Sequence, residues 1–237
     1  MGSTKFVLPT QKSKSKIRNP RKLCLYGESK VGKTTAISEL ENALIIDTEK
    51  GTDFLEVAAV QPENFTDFIQ IATELSKPNA HKYDYIVIDT IDNLVSWIEA
   101  QIVIEHNLKV KEPKDKVASF NEIPYGAGYS RVAEKTLNMI DGMSQLTPHL
   151  IIVGHLKRTL IGQNTIEVKE ESLDLTGKLR NQIMADMDAI GVVHRDKSDD
   201  NSLHVSFMNA GGTAAGSRCS HLINQDFKLD WKKIYID

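Results

Sequence analysis

The sequence is poor in several things at once. Of its 237 residues only 6% are aromatic, and only two are cysteine. Cys24 and Cys219 lie far apart with no CxxC pair. That argues against a disulfide framework or a zinc site and makes a reducing cytoplasm the expected compartment. No apolar run approaches the roughly 20 residues of a membrane helix, and no N-terminal apolar segment reads as a secretion signal. No repeat recurs at a period of about 20–50 residues, so a solenoid is not expected. What remains is 41% apolar and 26% charged. This is ordinary globular composition, long enough for one large domain with a full core.

The net charge of −3, taken as an average, argues against a nucleic-acid binder. Its distribution is uneven. Residues 1–22 hold Lys5, Lys12, Lys14, Lys16, Arg18, Arg21 and Lys22 and no acid, which leaves 22 basic and 32 acidic residues, or −10, in the remainder. The polar, aperiodic stretch Gln11 to Arg21 reads as a mobile segment. The expected organisation is therefore a basic flexible arm over 1–22 and one folded domain over 23–237.

From Leu23 the pattern is regular. Short apolar runs at Leu23–Tyr26, Ala43–Asp47, Tyr85–Asp89 and Leu150–Gly154 alternate with helical periodicity at Gly32–Leu40, Phe65–Leu75, Leu94–Glu105 and Val132–Met143. Fully apolar strands separated by amphipathic helices imply a parallel sheet covered on both faces. Beyond Gly154, Ile166–Val168, Ala189–His194, Leu203–Met208 and Phe227–Ile236 read as strands, the middle two as an antiparallel pair. Asn107–Tyr125 and Leu156–Lys178 lack a clear pattern, and long loops of this kind are usually functional or disordered. The fold class expected is α/β, a mainly parallel sheet flanked by helices with antiparallel strands near the C-terminus.

Gly27-Glu28-Ser29-Lys30-Val31-Gly32-Lys33-Thr34 matches GxxxxGK[ST] between an apolar strand and a helix. Glycines let backbone N–H groups turn toward phosphates, and the helix N-terminus adds a positive dipole end. Lys33 is placed to reach β- and γ-phosphates, Thr34 to offer its hydroxyl to Mg²⁺, and Thr35 to continue the nucleotide contact. Two acids end neighbouring strands, where ligand chemistry gathers in open α/β sheets. Asp89 closes YIVID as the acid expected to hold Mg²⁺ through water. Glu49, after ALIIDT, is a candidate for polarising an attacking water, with Asp47 structural.

The order GESKVGKT, LIIDTEKG, YIVIDTID, LIIVGH resembles the RecA-type P-loop ATPase core. The resemblance implies ATP and Mg²⁺ as cofactors, Glu49 as the water-activating acid, Asp89 as the magnesium acid and His155 as the γ-phosphate sensor. The short connection from Lys33 to Glu49 is similar to the small phage-encoded ATPases of Sak type, which act in single-strand annealing and recombination. This implies single-stranded DNA and a single-strand-binding protein as partners, no membrane, and a bacterial host cytoplasm.

The family also implies a homo-oligomer, ring or filament, with the site completed by a neighbour's basic fingers. Lys178 and Arg180, in Thr176–Arg180 before a helix, and Arg218, after the small-residue stretch Gly211–Gly216, are the candidates. The loops expected to meet DNA are Leu156–Glu171, with Lys157, Arg158 and Lys169, and Val110–Tyr125, with Lys109, Lys111, Lys114 and Lys116 around it. The remaining six histidines have no metal-ligand spacing and read as ordinary residues.

Three other classes fit the sequence less well. A GTPase switch needs a guanine-reading NKxD segment, and none is present. A small-molecule kinase needs an arginine-rich lid, and Leu156–Lys178 has one Arg. A nucleotide-regulated structural or packaging component is disfavoured by the intact set Lys33, Asp89 and Glu49.

Overall fold

Alternation along the central strands explains why they read as unbroken apolar runs. Cys24, Tyr26, Leu44, Ile46, Ile86, Ile88, Leu150 and Ile152 face one core, while Leu23, Leu25, Ile45, Val87, Ile151 and Val153 face another. Both faces of the sheet are covered, so neither pleat position tolerates a polar side chain. The computed structural model describes residues 10–12, 15, 17–161, 168–210 and 212–237.

The chain runs β1 (Lys22–Gly27), α1 (Lys33–Ile37), β2 (Ala43–Asp47), β3 (Ala59–Val60), α2 (Phe65–Leu75), β4 (Tyr85–Asp89), α3 (Ile91–Lys109), α4 (Ala127–Ser144) and β5 (His149–Ile161). Then follow β6 (Val168–Leu173), α5 (Gly177–Asp186), β7 (Ala189–Asp196), β8 (Ser202–Ser206), β9 (Gly216–Ser217), β10 (Asp226–Lys228) and α6 (Trp231–Ile234). The main sheet has the order β10-β8-β7-β1-β5-β4-β2-β3. The strands from β7 to β3 pair in parallel, and β8 and β10 extend the sheet antiparallel. Helices α2 to α5 contribute to the first core; α1, α6 and the strands β8 and β10 contribute to the second. This is an α/β fold with a RecA-like P-loop core: β5 lies between the phosphate-loop strand β1 and the acid-bearing strand β4. Among the described residues no helix is long and apolar enough to cross a membrane.

Several expectations are corrected. Residues 18–22 are not part of a free arm. Asn19 exchanges two hydrogen bonds with Ile236, Arg18 donates to the Asp237 carbonyl, and Lys22 pairs with Asp141 and Asp186. Much of the preceding arm, with Lys5, Lys14 and Lys16, lies outside the described residues.

The helix expected over Gly32–Leu40 is only five residues long, because its last bonds tighten to the i→i+3 type at Glu39 and Leu40. Leu156–Lys178 is not a loop. Strand β5 continues to Ile161 and pairs with β6 as an antiparallel hairpin, Leu156 opposite Leu173. The expected strand Ile166–Val168 falls largely outside the described residues.

Asn107–Tyr125 begins as the end of α3, to Lys109, and continues through three short 3₁₀ turns. It is tied down by the Asn107 amide, which both donates to and accepts from the Val117 backbone at 2.9 Å. Phe227–Ile236 is not one strand. The Asp230 carboxylate accepts from the Lys232 N–H at 3.0 Å and caps α6, which turns the chain out of the sheet.

Candidate functional site

The site forms where β1, β2 and β4 end side by side and β5 passes between β1 and β4. Register pairing puts Gly27 opposite His155 and Val193, and Asp47 opposite Asp89. Gly27 has no substitute, since a Cβ there would sit 2.4 Å from the Val193 carbonyl oxygen. Gly32 begins α1 at φ 117, a left-handed conformation that glycine adopts without strain. Lys33 is buried and its Nζ donates to the carbonyls of Gly27 at 3.0 Å and Glu28 at 2.9 Å. Burial pulls the Lys33 ammonium below its ordinary range, against the opposing charges of Asp89, Asp92 and Glu49. The helix α1 is too short to add a large dipole, so the cradle rests on backbone N–H groups and on Lys33. Glu28, Ser29, Lys30 and Thr35 are exposed, and Val31 and Gly32 are half-buried.

Thr34 Oγ1 donates to Asp89 Oδ2 at 2.8 Å. Asp89 is almost wholly buried, and desolvation pushes its carboxyl up to about 6 despite the Thr34 bond and the Lys33 charge. Beside it, Thr48 pins the end of β4: its N–H donates to the Asp89 carbonyl at 2.7 Å, and its hydroxyl accepts from the Thr90 N–H at 2.8 Å.

Asp47 is structural. It accepts from the N–H of Glu49 at 2.9 Å and from the N–H and hydroxyl of Thr52 at 2.8 and 2.6 Å. Burial alone would raise its carboxyl, but these bonds outweigh it and hold it below the usual range. The turn they fix presents Glu49 at the site. Its Oε1 accepts from the Thr90 hydroxyl at 3.2 Å, and its carboxylate is partly open to solvent.

His155 is positioned by Asp92, a residue that no sequence pattern singles out. Asp92 Oδ2 lies 2.5 Å from His155 Nδ1 and Oδ1 accepts from the His155 N–H at 3.3 Å. The Asp92 bond raises the imidazole above its ordinary value, against its burial. Glu49 Oε1 stands 3.8 Å from the same Nδ1. The approach needs Gly154: a Cβ there would meet Leu173 Cδ1 at 2.2 Å and Asp92 Oδ1 at 2.8 Å.

Two arginines touch the phosphate loop from outside. Arg195 on β7, equally unmarked in the sequence, donates from Nε to the Val31 carbonyl at 2.9 Å. Arg158 on β5 pairs with Glu28 of the loop and, at 3.0 Å, with Glu171 of β6.

The finger candidates do not join this group within one chain. Arg180 lies inside α5, not before it, and bonds the Ser172 hydroxyl at 2.7 Å and Glu170 at 3.1 Å. Lys178 is exposed at the rim of a groove of about 370 Å³ lined by Phe120, Tyr129 and Leu137. Arg218 is exposed at the opposite end of the sheet. Its N–H bonds the Asp188 carbonyl and its guanidinium the Ala185 carbonyl, next to the start of β7. Lys157 pairs with Asp174 at 2.8 Å, so the basic start of the hairpin is neutralised; the Lys169 side chain is not among those described. Lys109, Lys111, Lys114 and Lys116 are exposed.

Residues 19–219 match the family model of an AAA domain. No curated protein matches the chain. Among solved structures the chain is similar to a prototypical ATPase from the type III secretion system of pathogenic bacteria. The TM-score there is 0.45 at 9% identity, covering 95% of this chain and 69% of that one. It is also similar to the RadB recombinase, with a TM-score of 0.40 at 14% identity, covering 79% of this chain and 80% of that one.

Proposed function

The chain belongs to this AAA-domain family of P-loop ATPases, and on that footing we propose that it binds Mg-ATP, hydrolyses it, and couples the cycle to single-stranded DNA. The observation that carries the first part is the convergence of Lys33, Thr34, Asp89, Glu49 and His155 where β1, β2 and β4 end beside the middle of β5. Thr34 gives its proton to Asp89 and keeps both lone pairs of Oγ1 for a cation, so the pair fits magnesium. Magnesium bound there supplies positive charge to the β- and γ-oxygens. Lys33 exchanges its two carbonyl partners for phosphate oxygens. Glu49, oriented by Thr90, accepts a proton from the attacking water. His155, held by Asp92, donates to the γ-phosphate and reports its presence to the hairpin that β5 continues into.

The coupling to DNA rests on the motif order, which resembles RecA-type and Sak-type ATPases, and on the exposed lysines around Val110–Lys116. In an assembly stacked head to tail, Arg218 at the far end of the sheet is the finger best placed to reach a neighbour's phosphate loop. Arg180 is held inside its own chain, and Lys178 stands between these cases. A ring or filament and a single-strand-binding protein partner belong to the same reading.

ATP turnover measured with and without single-stranded DNA tests it. Stimulation by DNA is expected, abolished in Lys33→Ala, whereas Glu49→Gln keeps ATP binding and loses turnover. Normal hydrolysis by Glu49→Gln would assign water activation elsewhere. Turnover indifferent to DNA would remove the DNA role and leave the ATPase.

A further inference from the structure

On the edge of the sheet away from β3, three strands bring together residues that are far apart in sequence. His194 on β7 and His204 on β8 are register partners, so their side chains share a face. Asp226 on β10 pairs with Ser206, two residues along from His204 and therefore on that face too. Asp226 Oδ2 lies 3.1 Å from His194 Nε2, and Oδ1 lies 3.1 Å from His204 Nδ1. One ligand atom from each of the three residues falls within 4.8 Å of the others. We propose that His194, His204 and Asp226 form a binding site for a divalent transition-metal ion of zinc type, separate from the nucleotide site.

The donor chemistry selects the ion. Two imidazoles and a carboxylate suit zinc and its neighbours in the first transition row, while magnesium and calcium take oxygen ligands. The two histidine–carboxylate spacings of 3.1 Å are close to the edge of a tetrahedron with metal–ligand bonds of about 2.0–2.1 Å. His204 also has the outer partner that ligating histidines usually have. Its Nε2 lies 3.0 Å from Asp199 Oδ2, a carboxylate able to hold the ring N–H once Nδ1 gives up its proton to bind metal beside Asp226. Asp196 Oδ2 lies 4.0 Å from the same Nδ1, a further carboxylate next to the cluster. The ligands sit on hydrogen-bonded strands, and His204 is largely buried, so little ordering remains for binding to impose. The group lies outside the ATP chemistry, yet His194 precedes Arg195, whose side chain holds the Val31 carbonyl of the phosphate loop. A metal there clamps the strand that supports the loop.

The test uses the full chain, freed of metal and without nucleotide or magnesium. Zinc chloride is titrated calorimetrically, and cobalt(II) is followed by its visible absorption. The expected result is saturation at one equivalent per chain, with a tetrahedral cobalt spectrum and protons released on binding. His194→Gln, His204→Gln and Asp226→Asn are each expected to weaken zinc by about tenfold or more. His155→Gln, in the other cluster of ligand-type residues, is expected to bind zinc as the wild type does.

A second readout needs no variant. Saturating zinc is expected to protect His194 and His204 of the wild type from diethyl pyrocarbonate. Absence of saturable binding, undiminished binding in the three variants, loss of binding in His155→Gln, or unprotected His194 and His204 would each overturn the proposal. In that event the cluster is a histidine–carboxylate ion-pair network.

Discussion

Thr34, in the first turn of α1, and Asp89, at the end of β4, are fifty-five residues apart, and their side chains meet in a 2.8 Å hydrogen bond. A buried carboxylate is thereby fixed against the hydroxyl proposed to face the cation. Burial makes that carboxylate costly to ionise, and its raised proton affinity, at about 6 against an ordinary 3.8, follows from it.

The first prediction takes up that cost. A carboxyl whose folded pKa is raised binds protons more readily in the folded state. Stability therefore increases as the pH falls from above 6 toward 4 and levels off below the unfolded value. Asp89→Asn keeps an acceptor for Thr34 and removes the ionisation. It is expected to be more stable than the wild type at pH 8 by about 3 kcal/mol, to lose that advantage near pH 4, and to be inactive. Urea unfolding at the two pH values measures this. Equal differences at both would show that the buried charge of Asp89 is not what costs stability.

A second concerns Asp92. Its bond to Nδ1 keeps His155 protonated to higher pH than a free imidazole. With a raised folded pKa, the stability contributed by the pair is complete below the unfolded value near 6.5 and fades as the pH rises through the folded one. Asp92→Asn is expected to lower the His155 pKa, read by NMR titration, and to move the alkaline fall of turnover to lower pH. An alkaline limb that stays in place in Asp92→Asn would separate the His155 proton from catalysis.

Gly154→Ala is the third. The new methyl meets both Leu173 and the Asp92 carboxylate, a crowding expected to cost about 1–3 kcal/mol and to reduce turnover. Leu173→Ala added to it is expected to relieve part of the instability without restoring turnover, because the clash with Asp92 persists. Full recovery of activity in the double variant would mean that His155 placement does not matter.

The fourth tests the DNA reading by salt. Replacing Lys109, Lys111, Lys114 and Lys116 with glutamine is expected to weaken single-strand binding and to reduce its salt slope by about 0.7 for each phosphate no longer neutralised. Deleting residues 1–17 is the parallel experiment for the arm. Two unchanged slopes would place the DNA interface elsewhere or remove it.

The central strands and the positions of the phosphate loop, Asp89, Glu49 and His155 are legible in the sequence because each depends on local pattern: an apolar run, a turn, a polar residue that closes an apolar run. Asp92 is not. Its role arises only where the first turn of α3 packs over Gly154, and nothing in IDTID distinguishes the second acid. The hairpin is hidden because Lys157-Arg158-Thr159 breaks the apolar run, although β5 merely leaves the covered part of the sheet there. His194, His204 and Asp226 show no ligand spacing in the chain because antiparallel register, not sequence distance, brings them together. Charge alone puts the arm boundary too late, since Asn19 and Lys22 are held by partners near the C-terminus and in α4 and α5.

Arg158 stands between Glu28 and Glu171. One guanidinium shared by two carboxylates works as a balance beam. Any displacement of Glu28 with the phosphate loop would pull on the guanidinium that also holds Glu171 of the hairpin. If nucleotide binding moves the loop, whatever holds the hairpin must, by linkage, change nucleotide affinity by the same factor in the other direction.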